Sequence, residues 1–104
     1  MIPTIGRKVW FYPSAAETEG HALLRISDQP LDATVVHVNG PGLSEGSHMI
    51  NVVYYDHCGA QHIYHDAELL HPDDELAISR YKSSDSSYCT WMPYQVKQVA
   101  SDAK

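Results

Sequence analysis

His48-Met-Ile-Asn-Val-Val-Tyr-Tyr-Asp-His-Cys-Gly-Ala-Gln-His-Ile-Tyr-His65 reads as a β-hairpin. Met49 to Tyr55 is dense in β-branched and aromatic residues, which fit a pleated, half-buried surface better than a helix. Asp56-His57-Cys58-Gly59 supplies the turn, with Gly59 free to take positive φ, and Ala60–His65 is the returning strand. The same ribbon carries four of the seven histidines, so it poses the functional question as well as the structural one.

Working outward, Gly6–Pro13 reads as a first strand closed by proline, and Ala33–Asn39 as a second. Alternation along the second puts Val36 and Val38 on one face with Thr34, leaving Ala33, Val35 and His37 on the other. Ala15–Gly20 is a loop or a single helical turn, and His21–Ile26 a short strand or a packed loop segment. Gly40–Ser47 is a loop; Glu68–Leu70 starts a last turn or short strand that His71–Glu75 breaks. Leu76–Ser87 is polar and predicts a mobile surface loop, with a short helix over Asp74–Tyr81 as the competing reading. Tyr88–Tyr94 is the final apolar segment. The chain is therefore one domain over residues 1–95 with a tail over 96–104. Short strands and turn-rich connections predict an all-β fold. The first choice is a small antiparallel SH3-like or Tudor-like barrel of about five strands, with the mobile loop before the last. An OB-type barrel comes second and an open meander third.

Composition narrows the partners. Thirteen acidic against seven basic residues give a formal charge of -6, and no basic cluster exists to meet the phosphates of duplex nucleic acid. A DNA-mimicking surface is disfavoured too, because only Asp73-Asp74-Glu75 form an acidic run. The apolar runs are too short to span a membrane, and no apolar segment follows the first charges as in a secretory signal, so an intracellular protein is expected. In that compartment Cys58 and Cys89 are read as two free thiols.

His57, Cys58, His62, His65 and His71 are all of metal-binding type. Their spacing argues against one ion, since strand residues three apart project to opposite faces and His62 should diverge from His65. Exposed strand and turn histidines are the simpler explanation, and neither a metal nor a cofactor is assigned. His62 or His65 with Asp66 would make a base and its orienter, and Cys58 or Cys89 a nucleophile. No nucleophile elbow or glycine-rich phosphate loop accompanies them, so no catalytic residue is assigned.

The aromatic residues say more. Trp10 and Tyr54 are read as core. Tyr12, Tyr55, Trp91 and Tyr94 are candidates for a binding surface, with Arg7, Lys8 and Arg25 at its rim. Such a surface would hold a proline-rich peptide or a small ligand that carries a base. Pro93 would end strand pairing and present these side chains at an edge.

Gly6-Arg7-x-Val9-Trp10-Phe11-Tyr12-Pro13, Gln29-Pro30-Leu31-x-Ala33, Ile50-Asn51-Val52-x-Tyr54-Tyr55-Asp56-x-x-Gly59 and Tyr88-Cys89-x-Trp91-Met92-Pro93-Tyr94-Gln95 occur in that order. The set resembles a family of small proteins encoded by tailed bacteriophages and prophages, and it spans about half of the chain. Ser14–Asp28 and Gly40–Ser47 are longer than the family's segments, so nothing is carried over there. The resemblance implies a setting and no mechanism: a phage accessory protein working in the host cytoplasm. The expected function is a non-enzymatic binding module. It would occupy a host or defence component, either a protein or a small signalling nucleotide, and a homo-oligomer would pool the few basic residues. A minor structural or assembly protein of the virion is the alternative, and a small hydrolase or metal-binding protein comes third.

Overall fold

The computed structural model describes residues 2–19, 25 and 27–92. Five strands close a barrel: β1 (Lys8–Tyr12), β2 (Leu31–Pro41), β3 (His48–Tyr55), β4 (Gln61–Leu70) and β5 (Tyr88–Thr90), hydrogen-bonded in that order. The chain thus forms the small all-β, SH3-like barrel expected from its sequence. Two short helices accompany it, α1 (Ala15–Thr18) after β1 and α2 (Glu75–Ser83) between β4 and β5. Tyr94 and Pro93, the tail, and the segment over 21–26 apart from Arg25 lie outside the described residues.

Strand alternation builds the core. Val9 and Phe11 of β1, Ala33 and Val35 of β2, Ile50, Val52 and Tyr54 of β3, and Cys89 of β5 point inward and are buried. Each large side chain among them contributes about 1.5–3 kcal/mol of burial free energy. Phe11 stacks on Tyr54 at 4.4 Å between ring centroids and meets Tyr64 at 5.1 Å. Trp10 sits between Val9 and Phe11 and is only half-buried, so its expected place in the core is corrected by simple parity.

Bulges correct a second expectation. The β2–β3 register runs Val35↔Val52 and then His37↔Asn51, leaving Val36 as an extra residue. The parity of β2 flips there. Val36 is exposed, Val38 packs against the core with Ala33 and Val35, and His37 turns outward.

β4 is longer than the hairpin predicted, running through Glu68-Leu69-Leu70 to pair with β5. Four of the five strand pairings are antiparallel, while β4 and β5 run parallel. Parallel neighbours cannot be joined by a tight turn, so the chain returns through α2. The loop expected over 76–87 is corrected accordingly. Asp74 caps α2 by accepting from the Ala77 N–H at 3.2 Å, Glu75 lies in its first turn, and Arg80 and Lys82 lie in its last. Ala77, Ile78 and Tyr81 pack against Leu70, Tyr88 and Tyr12, forming a small second core outside the barrel. This is why Ala67, Glu68, Leu69 and Leu70 are all buried: both faces of that end of β4 are covered.

Candidate functional site

The second core opens at its edge into a cleft of about 480 Å³. Three tyrosines form its wall. Tyr12 leaves the outer face of β1 and stacks on its cross-strand neighbour Tyr88, 4.9 Å between centroids and 10° from parallel. Tyr81, from α2, leans on Tyr88 at 5.5 Å and 39°. Burial raises the pKa of all three phenols, with the Glu68 carboxylate adding to the rise for Tyr81, so they stay neutral hydroxyls at physiological pH.

Arg25 lies over Tyr12, its guanidinium carbon 5.8 Å from the ring centroid. Its Nε donates to the Gln29 carbonyl at 3.1 Å and its Nη2 to the Asp28 carbonyl at 2.7 Å. The guanidinium is thus held by its own loop. Lys82 adds a second cation to the lining, and Asp28 and Asp85 add carboxylates. Asp85 holds a left-handed backbone (φ 51°) and its Oδ1 accepts from the Ala15 N–H at 2.9 Å; Ser87 Oγ accepts from the Ser14 N–H at 2.9 Å. These two bonds tie the start of α1 to the segment after α2. Among the described residues that line it there is no cysteine and no histidine.

The residues expected to form one surface separate into three cation–aromatic pairs. Arg25 meets Tyr12, Lys8 meets Tyr55 at 5.9 Å, and Arg7 meets Trp91 at 6.0 Å. Only the first pair belongs to the cleft. Lys8 and Tyr55 stand on the outer face of the sheet, where Lys8 also pairs with Asp32 at 3.3 Å. Trp91 is 5% exposed and packs in the main core, so it is not a surface anchor. Tyr94 lies outside the described residues. The sequence reading missed Tyr81, Tyr88 and Lys82. The available signal was the apolar spacing of Ala77, Ile78 and Tyr81 behind the Asp74 cap, which marks a helix with one buried face.

The histidine ribbon resolves differently. His62 stacks on Tyr54 at 5.1 Å, on the inner side, while His65 is exposed, so the two diverge. The carboxylate beside His62 is Asp56, 2.9 Å from its Nε2, and not Asp66. Asp66 instead accepts from Asn39 Nδ2 at 2.6 Å, across a bulge. The hydrogen bond from His62, with others from the Ala60 and Cys58 N–H groups, holds the Asp56 carboxyl below the usual range. Tyr54 donates from its hydroxyl to Glu17 Oε2 at 2.6 Å, which docks α1 on the barrel. Cys58 is exposed in the turn and Cys89 is buried; both are free thiols. Among the described residues no three His, Cys, Asp or Glu side chains gather as a metal site, and no helix is long and apolar enough to cross a membrane.

No protein-family model matches the chain, and no curated protein or solved structure matches it.

Proposed function

We propose that this protein is a non-enzymatic binding module: a phage-encoded accessory protein that blocks a host or defence component in the host cytoplasm. It does so by receiving part of that component in the Tyr12–Tyr81–Tyr88 cleft. The observation that carries this reading is the cleft itself. A wall of neutral phenols, an anchored guanidinium and a ligand-sized volume make a recognition site, as pockets of a few hundred Å³ with a few fixed polar groups do.

Native mass spectrometry of the protein from infected-cell lysate tests the reading. A defined adduct or a stoichiometric co-purifying host protein is expected, and the double variant Arg25→Glu/Lys82→Glu should lose it. A clean, ligand-free monomer would overturn the proposal.

A different observation favours a second reading, as a virion component. Ile63 is 60% exposed on the outer sheet face, in register with Val53 and beside the half-buried Tyr55. Such an apolar stripe suits burial against a larger subunit. Detection of the protein at fixed copy number in purified virions would decide for that role.

A further inference from the structure

Taking the cleft as a binding site, we infer that its occupant is a nucleoside monophosphate. The lining matches such a ligand part by part. A planar base is met by an aromatic ring at the rim: Tyr81 is only half-buried, and a phenol ring stacks on any base, whereas Tyr12 already lies against Tyr88 and Arg25. A ribose diol is met by a carboxylate, the usual acceptor for vicinal hydroxyls, and Asp28 and Asp85 both line the cleft. A phosphate is met by Arg25 and Lys82.

Arg25 is the better prepared of the two. Its bonds to the Gln29 and Asp28 carbonyls use one N–H on Nε and one on Nη2 of a guanidinium that carries five donors. Its stacking on Tyr12 and its tether to the Asp28 and Gln29 carbonyls hold the fork in place before anything binds, which lowers the ordering cost. Tyr81 is prepared in the same way, because its hydroxyl donates to the buried Glu68 at 2.5 Å.

Charge limits the ligand's size. Arg25 and Lys82 share the lining with the carboxylates of Asp28 and Asp85, so the cleft has no surplus positive charge for more than one phosphate. A triphosphate or a nucleic-acid strand would bring excess negative charge to a chain that already carries -6. A proline-rich peptide would use the rings and leave both cations unanswered. The shared chemistry of a free nucleotide and the terminal nucleotide of an RNA is separated by the test.

The full chain, ¹⁵N-labelled, is titrated with AMP, GMP, CMP and UMP, and separately with adenosine, inorganic phosphate and a ten-nucleotide single-stranded RNA. At least one monophosphate is expected to shift the amides of Ser14, Arg25 and Tyr81–Ser86. Adenosine and inorganic phosphate should bind at least tenfold more weakly than the monophosphate, and the RNA no more tightly. Arg25→Gln and Lys82→Gln should each weaken the monophosphate at least tenfold with unchanged Tm, while the distant Arg7→Gln should not. Silence with all four monophosphates overturns the inference, as does phosphate binding equal to the nucleotide's or tighter binding of the RNA. If the monophosphates fail but Arg25→Glu/Lys82→Glu still loses the partner seen by native mass spectrometry, the ligand class is wrong and the cleft stands. If that variant keeps the partner, both fall.

Discussion

Glu68 is 1% exposed, and a carboxylate so placed needs hydrogen bonds on both oxygens. The Ser44 N–H donates to Oε2 at 2.7 Å, the Ser47 hydroxyl donates to the same oxygen, and Tyr81 donates to Oε1. Gly42 is the close approach that permits this, since a Cβ there would overlap the Ser47 hydroxyl and stand 2.9 Å from Glu68 Oε2. Burial pushes the Glu68 carboxyl up, but the hydrogen bonds from Ser47, Tyr81 and Ser44 outweigh it, so the group sits below the usual range. A carboxyl lowered in the folded state contributes stability that is complete above its unfolded value of about 4.3 and is lost as pH falls through the lower folded value. Glu68→Gln is therefore expected to destabilise the protein by about 1–3 kcal/mol at pH 7. It should also flatten the acid limb of a denaturation-against-pH profile below about pH 4. Urea titrations of both chains at pH 7 and pH 3 read this: an equal loss at both would show that the charge plays no part. Nothing in local sequence marks Glu68, because its partners come from 21 or more residues upstream and 13 downstream.

At the scale of elements, β1, β3 and the start of β4 were legible because they are dense in β-branched and aromatic residues. α2 was harder. Its apolar face is narrow, with only Ala77 fully buried, and its polar residues also suit a loop. What makes it a helix is its ends: the Asp74 cap, Glu75 at the start, and Arg80 and Lys82 at the finish. Asp74→Ala should cost about 0.5–2 kcal/mol. Because Tyr81 belongs to this helix, the same variant should loosen the cleft, read as faster amide exchange over Glu75–Ser83 with β2 and β3 unchanged. Uniform loss of protection across the chain would refute a local role for the cap. The bulges were invisible for a related reason: a bulge is a mismatch between two strands, and one strand's alternation cannot report it. At the β3–β4 bulge, Asn51 Oδ1 accepts from the Asp66 N–H at 3.0 Å and from Asn39 Nδ2 at 2.9 Å, a tie across three strands.

Over the whole molecule, closure is decided by β5. This three-residue strand pairs antiparallel with β1 and parallel with β4, which places Cys89 opposite both Phe11 and Leu69. Cys89 is fully buried, and burial pushes its thiol pKa up, whereas Cys58 is exposed in the hairpin turn. A native chain should thus present one fast thiol to an aromatic disulfide reagent, and the second only at the rate of barrel opening. Cys58→Ser isolates the slow phase, whose rate should follow global stability in urea. Fast labelling of Cys89 in the folded chain would show that the barrel does not stay shut at β5.

By itself the sequence determined the class of this protein. Period-two patterning sets which side chains a strand turns inward, and turn residues set where strands stop. It also determined the formal charge of -6. The tertiary structure alone decided which strands neighbour β5, that Trp91 is core, and that Tyr12 meets Arg25, Tyr81 and Tyr88 in one cleft. Those facts depend on contacts between residues 13 to 80 positions apart, and neither local propensity nor periodicity carries information over that distance.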